Sequence, residues 1–511
     1  MADSNPKVLT FLEMLETVEA LKKEGKKIVQ THGVFDLIHP GIIQHLTSAR
    51  GMGDVLIVTV IKDEDVRRGP GRPVFPETLR LMNVASLDQV DYVCLVEDKK
   101  NFDCVQRIQP DVFAKGQAHK DRDQEVARKI FQEEKDLFWG KTEIHETGGF
   151  AFSSTEIINR FLDIYPEDTR VFLQQFFQKY SFKEIADLFH GLEKLKVCLV
   201  GDGIIDEYHY CEPMGKAAKA NLVVNRYTED EVFAGGSFAI ANHVAGVCSE
   251  VHLVTLLGEE NSREQYVRDN LKPNVSAKLF FRSDGPTVTK TRFVHQYLNQ
   301  KLFEINYLND APVNPDLEQE IIEYLESCLG EYDLVLLSDF GHGFVTQGIY
   351  EALRKHSRIL AVNTQTNAAN TGYNLITKYH HANLVCLDET EVRLAAHDKI
   401  SAIDKIAHKI KKEIQADHLI VTLGKQGAIG IDRNGRVART PIFSTKVVDT
   451  IGAGDAFFAF TAPCVAQDLP MDLVSFIGNA VGALAVQIVC NKRPVEKHEL
   501  LEFIHSLTKA R

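Results

Sequence analysis

The residue types that are scarce in this sequence give the first guide to its class. Only one of the 511 residues is tryptophan, and the nine cysteines are scattered without a single Cys-x-x-Cys pair. Such spacing is typical of reduced thiols and does not favour a disulfide framework or a cysteine-based zinc site. We therefore expect a cytoplasmic protein.

The sequence also lacks a long hydrophobic run. Its N-terminal residues, MADSNPKVLTFLEMLETVEALKKEGKK, have neither the basic start nor the continuous apolar core of a signal peptide. The most apolar segment, residues 474–490, is slightly shorter than a membrane span and contains Asn479 and Gln487. This segment predicts a buried helix, and we expect no membrane partner.

Positive charge is in deficit, because 58 Lys and Arg face 71 Asp and Glu, for a net charge of -13. A negative protein repels a phosphate backbone, so we expect no nucleic-acid partner. Hydrophobic residues make up 44% and charged residues 25%, which is ordinary for globular domains. The length exceeds what one hydrophobic core usually organises and predicts two or three domains.

Short apolar segments alternate with segments of helical spacing. The first region contains three predicted strands, at KKIVQTHGVFD, 54–63 and 90–98. Strands that alternate with helices predict a parallel sheet, and ligands of parallel sheets bind at the carboxyl ends of the strands. We predict an α/β protein with a small domain at 1–162, a helical connector at 163–194 and a larger domain at 195–511. Strand candidates of the larger domain are 196–208, 333–340, 358–364, 382–389 and 418–432.

The most specific motif of the larger domain is Asp449-Thr-Ile-Gly-Ala-Gly-Asp455, which leads into an apolar helical segment. Gly452, Ala453 and Gly454 allow backbone N–H groups to approach a phosphate at a helix N-terminus, where the helix dipole favours anions. Asp455 is placed to take a proton from a hydroxyl that attacks a γ-phosphate. This motif predicts an anion hole beside a catalytic base.

The segment 195–511 resembles the ribokinase or pfkB family of carbohydrate kinases, which carry Asp-Thr-x-Gly-Ala-Gly-Asp near the C-terminus. The resemblance implies a ribokinase-like fold with a β lid, ATP as phosphate donor, a sugar acceptor, and Mg²⁺ as cofactor. It also implies a monovalent cation such as K⁺ near Asp449. By resemblance, the sugar-binding residues are Asp202, Asp206, Gly235, Gly236 and Asn242, the nucleotide-binding residues are Thr422 and Gly424, and the magnesium-linked residue is Glu391.

Three segments depart from the family pattern or leave alternatives open. Asp388 stands where the family often has Asn, and Asn242 is displaced from the usual substrate-binding position. The amide-rich segment NTQTNAANTGYN, residues 363–374, follows a predicted strand. It is either a dense set of hydrogen-bonding groups for a polyol or an ordinary polar loop.

The N-terminal region carries the sequence THGVFDLIHPGIIQHL, residues 31–46, between a predicted strand and helix. It resembles the cytidylyltransferase-like nucleotidyltransferases, whose His-x-Gly-His motif stabilises charge at the α-phosphate. The resemblance makes His39 the catalytic histidine, but position 42 is Ile where a second histidine is expected. The implied nucleotide-binding residues are Gly33, Phe35, His39, Gly41, His45, Arg80, Lys115, Ser153, Ser154 and Thr155.

The loss of one charge-stabilising donor commonly costs about 10² to 10³ in rate, roughly 2.7 to 4 kcal/mol. His45 lies on the same predicted helical face as Ile42, and His32 precedes Gly33, so either is a candidate substitute. The domain is then a full enzyme, a slow enzyme, a nucleotide-binding regulatory domain or a structural remnant.

The pairing of the two domains resembles the bifunctional heptose-phosphate kinase/adenylyltransferases, with the domain order reversed. The resemblance implies a sugar or sugar-phosphate kinase and a sugar-1-phosphate nucleotidyltransferase that uses ATP or CTP to make a nucleotide-activated sugar for surface polysaccharide. The alternatives are a single-activity kinase with a degenerate N-terminal domain and, less favoured, a non-catalytic binding protein. Lid strands including residues 219–236 predict a homodimer, because exposed strand edges favour pairing.

Overall fold

The computed structural model describes residues 5–66, 71–97, 103–116, 142–147, 165–298, 300–444 and 446–510. The chain divides into two compact units, an N-terminal unit of residues 1–178 with 505–511 and a C-terminal unit of residues 179–504. The predicted connector region contains two helices, α5 (Glu167–Lys179) and α6 (Phe182–Leu192). The division between the units lies at the C-terminal end of α5, after residue 178.

The N-terminal unit is a parallel sheet with helices. Its strands pair in the order β3-β2-β1-β4-β5, and every pair is parallel. The strands are β1 (Ile28–Gly33), β2 (Val55–Ile61), β3 (Tyr92–Val96), β4 (Val112–Gly116) and β5 (Glu143–Thr147). The other described helices of this unit are α1 (Phe11–Lys23), α2 (Pro40–Arg50), α3 (Glu77–Ala85) and α4 (Asp103–Ile108).

The order of this sheet places a candidate site. From β1 the chain moves first to β2 and β3 on one side and then to β4 and β5 on the other. Such a reversal between neighbouring parallel strands leaves a crevice at their carboxyl ends, where ligands bind. Gly33 ends β1 and Gly116 ends β4, so the motif of residues 31–46 begins at this reversal point.

The C-terminal unit is built on a nine-stranded sheet. The order is β10-β9-β6-β13-β14-β15-β16-β17-β18, and the pairs from β10 to β16 are parallel. Its strands are β6 (Lys196–Gly201), β9 (Glu250–Glu260), β10 (Val275–Pro286), β13 (Leu334–Asp339), β14 (Leu360–Thr364), β15 (Leu384–Asp388), β16 (His418–Thr422), β17 (Ala428–Ile431) and β18 (Val437–Thr440).

Helices cover this sheet and bury its apolar strands. The strands β13 and β14 are buried at every residue, as expected for central parallel strands covered on both faces. The further helices of this unit are α7 (Ser237–Val244), α8 (Glu264–Asn270), α9 (Pro315–Cys328), α10 (Gln347–His356), α11 (Glu389–Ala396), α12 (Ile403–Glu413), α13 (Ala453–Ala466) and α14 (Met471–Ala485), together with residues 497–504 of α15 (Lys497–Leu507).

A second sheet of the C-terminal unit forms the lid. Its strand order is β12-β11-β7-β8, with β7 (Gly203–Lys216), β8 (Val223–Gly236), β11 (Thr289–His295) and β12 (Gln300–Tyr307). The strands β7 and β8 are antiparallel, and Gly203 pairs with Gly236 at their base. All eight residues of β12 are exposed.

The structure confirms the predicted fold class. The sequence predicts strand and helix alternation in both regions, and both contain parallel sheets with helices. The apolar segment 474–490 lies largely in α14, and nearly all residues of this helix are buried. No helix of the described residues is long and apolar enough to cross a membrane.

Candidate functional site

The C-terminal unit contains a cavity of about 580 Å³ between the carboxyl ends of β14, β15 and β16 and the lid strands β7 and β11. Its volume is in the range of small-molecule sites. Of the residues predicted from the sequence, those that line it are Asp206, Gly236, Glu391, Thr422, Gly424, Gly452, Gly454 and Asp455.

The backbone turn before α13 explains the glycines of the motif. Gly452 has φ +82°, a left-handed conformation that glycine adopts at little cost, and a Cβ at this position would collide with the Asn491 side chain. The helix begins at Ala453, so the N–H groups of its first turn lie at its N-terminus. Gly454 has open space around its Cα. The turn therefore presents backbone donors to the cavity, as an anion hole requires.

Asp455 lies in the first turn of α13 and is only 7% exposed. Its Oδ1 accepts a hydrogen bond of 2.5 Å from Nε2 of Gln365. Burial raises the pKa of Asp455 to about 7, although the hydrogen bond from Gln365 opposes this shift. A carboxylate with a pKa near neutrality is suited to accept a proton in catalysis.

The part of the cavity lined by the lid strands contains an ion pair. Asp206 on β7 pairs with Arg292 on β11, and Nε of Arg292 also lies 2.7 Å from Glu304 Oε2. A Cβ at Gly235 would collide with the Asp206 carboxylate, so glycine is required there to accommodate the carboxylate. Gly236 has φ +55° and lies against the backbone of Asp202.

Lys290 is a functional candidate that the sequence analysis missed. It is two residues before Arg292 on β11, on the same face of the strand, and both side chains line the cavity. Lys290 is only 8% exposed, and burial lowers the pKa of its ammonium. Two cations on one face of the segment TVTKTRFV were the available sequence signal.

Three of the predicted sugar-binding residues, Asp202, Gly235 and Asn242, are not among the residues that line this cavity. The carboxylate of Asp202 accepts hydrogen bonds from the backbone N–H of Phe340 (2.8 Å) and of His342 (3.5 Å). The amide of Asn242 bonds to the carbonyl of Asn270 and accepts from the N–H of Lys272. The side chains of Asp202 and Asn242 therefore bond to backbone groups of the protein and do not line the cavity.

Glu391 and Asp388 form a capping box at the start of α11. Each oxygen of Glu391 accepts a backbone N–H, from Thr366 (3.0 Å) and from Asp388 (2.8 Å). Burial, followed by the negative charge of Asp388, raises the pKa of Glu391 to about 8. Within the described part of the chain, no group of three His, Cys, Asp or Glu side chains is arranged to hold a metal ion.

Asp449, the predicted monovalent-cation ligand, has four hydrogen-bond donors from the protein. Its Oδ1 accepts from Lys301 Nζ (2.6 Å) and from the N–H of Ile451 (3.1 Å). Its Oδ2 accepts from the hydroxyl of Tyr208 (2.8 Å) and from the N–H of Cys490 (3.2 Å). Burial favours the neutral acid, but the hydrogen bond from Lys301 and the other donors hold the pKa of Asp449 below its usual value.

The amide-rich segment 363–374 is mainly a loop that bonds to itself and to the residue that follows β13. The side-chain amides of Asn367 and Asn370 donate to the carbonyl of Phe340, and that of Asn374 donates to the carbonyl of Gln365. Only Asn363 and Gln365 of this segment line the cavity. The polar-loop alternative therefore accounts for most of the amides, and Gln365 is the one that contacts Asp455.

The motif of the N-terminal unit forms a constrained turn after β1. Phe35 is buried and has φ +51°, an uncommon backbone conformation for a bulky residue. The Asp36 carboxylate accepts hydrogen bonds from the N–H groups of Val74 (2.8 Å) and Phe75 (2.9 Å). Asp36 thus ties the turn to the segment that precedes α3.

His39 is the N-cap residue of α2 and is 8% exposed. Its Nδ1 accepts a 3.2 Å hydrogen bond from the N–H of Gly41. Burial lowers the pKa of His39, so the ring is neutral near pH 7. Because Nδ1 is the acceptor, the proton of the neutral ring is on Nε2, which can donate to an anion.

The side chains of Ile42 and His45 take structural positions. Ile42 packs against the apolar core that includes Leu46 and Val58. His45 Nε2 lies 2.8 Å from the Thr31 hydroxyl, and Nδ1 lies 2.5 Å from that of Thr147. Burial lowers the pKa of His45 to about 4. Both ring nitrogens are engaged with strands of the sheet, so His45 does not replace the missing histidine in this arrangement.

Arg80 is fully buried, and its guanidinium serves the fold. It donates to the carbonyls of Phe75 (3.0 Å), Val34 and Ile61 (2.7 Å), and to Asp63 (2.6 Å). These contacts make it a positioning residue for the motif turn.

The remaining predicted residues of this unit are distributed around the sheet. His32 Nδ1 lies 3.0 Å from Thr59 Oγ1 and 3.5 Å from Cys104 Sγ. Lys115 lies near the carboxyl end of β4, beside the strand that ends in Gly33. Ser153, Ser154 and Thr155 lie outside the described residues.

Two family models match the chain. Residues 194–492 match the pfkB family carbohydrate kinases, and residues 31–160 match the cytidylyltransferase-like family. The first match covers more than half of the chain, and the second includes the motif of His39. Both resemblances predicted from the sequence are confirmed.

Curated relatives named "Bifunctional protein HldE" match part of the chain. The protein of Pelobacter propionicus is 23% identical over 309 residues, which cover 60% of this chain and 62% of the relative. That of Wolinella succinogenes is 25% identical over 317 residues, with 61% and 65% covered. The chain therefore spans less than two thirds of the length of these relatives.

Solved structures share the fold of the C-terminal unit. Phosphofructokinase-2 from Escherichia coli, in structures described as complexes with potassium and with fructose-6-phosphate, matches with a TM-score of 0.50 and 15% identity. Each match covers 61% of this chain and 99% of the solved chain. The chain belongs to the pfkB family of carbohydrate kinases and carries a cytidylyltransferase-like domain before its kinase domain.

Proposed function

We propose that the C-terminal unit transfers the γ-phosphoryl group of ATP to a hydroxyl of a sugar phosphate. The proposal depends mainly on Asp455, which lines the cavity at the N-terminus of α13. Its carboxylate is buried and has a pKa of about 7. A base with this pKa is half ionised at neutral pH and is poised to take a hydroxyl proton.

In the proposed step, the acceptor O–H proton moves to Asp455 as the acceptor oxygen forms a bond to the γ-phosphorus. The bond between the γ-phosphorus and the bridging oxygen of ATP breaks, and ADP leaves with the electron pair. The N–H groups at the start of α13 stabilise the charge of the transferring phosphoryl group.

Of the two cations of β11, Lys290 supports a phosphorylated acceptor. Arg292 already pairs with Asp206 and Glu304, so it is charge-balanced. Lys290 is a buried ammonium that lines the cavity, and burial of a charge is costly unless an opposite charge pairs with it. A phosphate group on the acceptor supplies that charge.

Magnesium fits the nucleotide end of the cavity as a partner of ATP. The site needs no cage of three protein ligands, because Mg²⁺ is usually held by one or two carboxylates, waters and substrate phosphates. Asp388 and Glu391 line the cavity and would hold the ion, which would neutralise phosphate charge. A cation there also favours the ionised form of Glu391, which burial disfavours.

For the N-terminal unit we propose a nucleotidyltransferase that acts on a sugar 1-phosphate and ATP or CTP. A phosphate oxygen of the sugar forms the bond to the α-phosphorus, the α–β bridging bond breaks, and pyrophosphate leaves. His39 supports this step, because its Nε2–H can stabilise negative charge at the α-phosphate. The product is a nucleotide-activated sugar of the kind used for surface polysaccharides.

The second candidate function is that of a kinase whose N-terminal unit is not catalytic, and one observation favours it. Ile42 replaces a histidine, and His45 has both ring nitrogens engaged with threonine hydroxyls. Pyrophosphate release from ATP and CTP with a panel of sugar 1-phosphates separates the candidates. Release with any pair supports the bifunctional enzyme, and no release alongside ADP formation supports the kinase alone.

The kinase proposal is tested by ADP formation with matched sugars and sugar monophosphates. Lys290→Met should raise KM for the phosphorylated acceptor about 10- to 100-fold, because a charge-assisted hydrogen bond contributes about 1.5 to 3 kcal/mol. KM for ATP should stay the same. The exposed Lys216→Met on the lid is the matched control. Turnover of free sugars in preference to their phosphates would contradict the proposed acceptor.

Lid pairing between two copies is the proposed assembly. The strand β12 is exposed along its whole length and carries Phe303 (51% exposed) and Ile305 (42% exposed). An exposed edge strand with apolar side chains favours pairing with another strand or sheet. Sedimentation of the wild type and of Ile305→Lys tests it, and a monomeric wild type would contradict it.

A further inference from the structure

Strand β12 of the lid contains a lysine that contacts the glycine turn of residues 449–455. Lys301 Nζ lies 2.6 Å from Asp449 Oδ1, although the two residues are 148 positions apart in the chain. Asp449 precedes the turn of residues 450–454, and its side chain is 2% exposed. The side chain of Lys301 is 35% exposed, so it reaches the buried carboxylate from the lid side.

The carboxylate of Asp449 has little capacity left for another cation. Its Oδ1 accepts hydrogen bonds from Lys301 and Ile451, and its Oδ2 accepts hydrogen bonds from Tyr208 and Cys490. A carboxylate has about four lone-pair positions, two on each oxygen. The donors present therefore account for all of them.

The surroundings of Asp449 also oppose a further positive ion. Lys301 Nζ lies 5.6 Å from the centroid of the Tyr208 ring, and the guanidinium carbon of Arg292 lies 6.0 Å from it. The Tyr208 side chain is fully buried, so these charges are poorly screened on that side. A bound K⁺ would repel both cations and would have to displace the Lys301 ammonium.

We propose that Lys301 is a tethered substitute for a monovalent cation, which supplies the positive charge beside the 449–455 turn and makes the kinase independent of K⁺. The ammonium carries the same charge as K⁺, and it donates hydrogen bonds to the carboxylate that such an ion would coordinate. Because the lysine comes from the lid, the charge is delivered when the lid sheet is in place. This inference rests on the kinase activity proposed above, but its structural part is measurable without that activity.

The test compares K⁺ with tetramethylammonium at equal ionic strength in the full chain. For the wild type, we expect the same kinase rate and the same melting temperature in both salts. In Lys301→Met, we expect a rate about tenfold lower without K⁺, which K⁺ restores. We also expect K⁺ to raise the melting temperature of this variant by about 2 to 4 °C at roughly ten times its Kd.

Matched variants distinguish the effect of the positive charge of Lys301 from the effect of the rest of its side chain. Lys301→Arg keeps a cation and should show no K⁺ response, and the exposed Lys216→Met should behave as the wild type. Asp449→Asn combined with Lys301→Met removes both charges and should show no K⁺ stabilisation. These three results identify the carboxylate as the site that K⁺ enters when the lysine is absent.

Three outcomes would overturn the inference. One is a wild type that K⁺ activates and stabilises as strongly as Lys301→Met. Another is a Lys301→Met protein with the wild-type rate and no K⁺ response, and the third is a destabilised Lys301→Met protein that K⁺ does not stabilise. If the wild type has no kinase activity with any acceptor, the proposed function fails, and the melting temperatures still decide the role of Lys301.

Discussion

The two units use their motif residues in different ways. In the C-terminal unit, Asp455, Gly452 and Thr422 line one cavity. In the N-terminal unit, Arg80 and His45 are bonded to carbonyls and hydroxyls of the protein. A motif residue can therefore serve a ligand or the turn that forms the site, and its hydrogen-bond partners distinguish the two.

The same difference separates residues within one motif. His39 and His45 are six positions apart on one strand-to-helix unit. His39 uses one ring nitrogen for the helix N-terminus, which leaves Nε2–H available as a donor, whereas His45 uses both. A similar pair exists in the C-terminal unit, where Asp206 lines the cavity and Asp202 bonds to backbone N–H groups.

Asp455→Asn should have the largest effect. Loss of a general base commonly costs about 10² to 10⁴ in rate, and the amide keeps the size of the side chain. We expect kcat for ADP formation to fall by that factor with little change in the melting temperature. The exposed Glu320→Gln is the control. A rate within threefold of the wild type would remove Asp455 from the chemistry.

His39→Ala should have the next effect, on pyrophosphate release. The loss of one preorganised donor costs about 10² to 10³ in rate. ADP formation by the C-terminal unit should stay unchanged and serves as the internal control. Equal pyrophosphate release by the variant and the wild type would show that the N-terminal motif does not contact the phosphates as proposed.

Ile42→His tests the same site in the opposite direction. It restores the second ring of the motif, and the expected result is faster pyrophosphate release at the cost of some packing against the apolar core. If Ile42→His is folded and releases pyrophosphate at the wild-type rate, the missing second histidine does not limit the rate of this unit. Circular dichroism of the variant establishes that it is folded.

The kcat/KM of the kinase should change about tenfold with pH, which is a smaller effect than those above. Burial raises the pKa of Asp455 to about 7, and the base must be ionised to accept a proton. The value of kcat/KM should therefore rise with pH below about 7 and level off above it, with roughly a tenfold change between pH 6 and the plateau. A profile that is flat from pH 5.5 to 8.5 would contradict this assignment.

His45→Ala should change rates least. We expect pyrophosphate release within about threefold of the wild type, but a free energy of unfolding lower by about 1 to 3 kcal/mol, since two threonine hydroxyls lose their partner. Loss of release at a temperature where the variant is folded would show that His45 acts on substrate.

The pH dependence of stability adds a second measurement for His45. Its pKa in the folded state is about 4, below the ordinary 6.5, so the unfolded chain binds more protons between these values. Stability should therefore fall as the pH drops from about 6.5 towards 4. Urea unfolding of the wild type and of His45→Ala checks whether the variant loses part of this dependence.

The sequence predicted the sheets and the glycine turn of residues 449–455 because their signals are local, whereas the role of that turn in binding an anion stays a prediction. Alternating apolar segments mark the parallel strands, and the residues from Asp449 to Asp455 are contiguous, so their relation needs no knowledge of the tertiary fold. The left-handed conformation of Gly452 is likewise a property of one position. Such features depend on residues that are neighbours in the chain.

Contacts between distant segments could not be predicted in this way. Gln365 reaches Asp455 across 90 positions, and His45 reaches Thr147 across 102. Helical spacing placed His45 on the face of Ile42, but it could not show that a later strand supplies a hydroxyl to its ring. Lys290 was missed for the same reason, since its burial depends on how the lid lies over the sheet.

The antiparallel strands β11 and β12 contain Lys290 and Arg292, which line the cavity, and Lys301, which contacts Asp449 before α13. The lysine proposed to bind the acceptor phosphate and the lysine proposed to replace the monovalent cation therefore lie on one pair of adjacent strands. If both proposals hold, exchange of these two strands for those of a relative changes acceptor choice and salt requirement together.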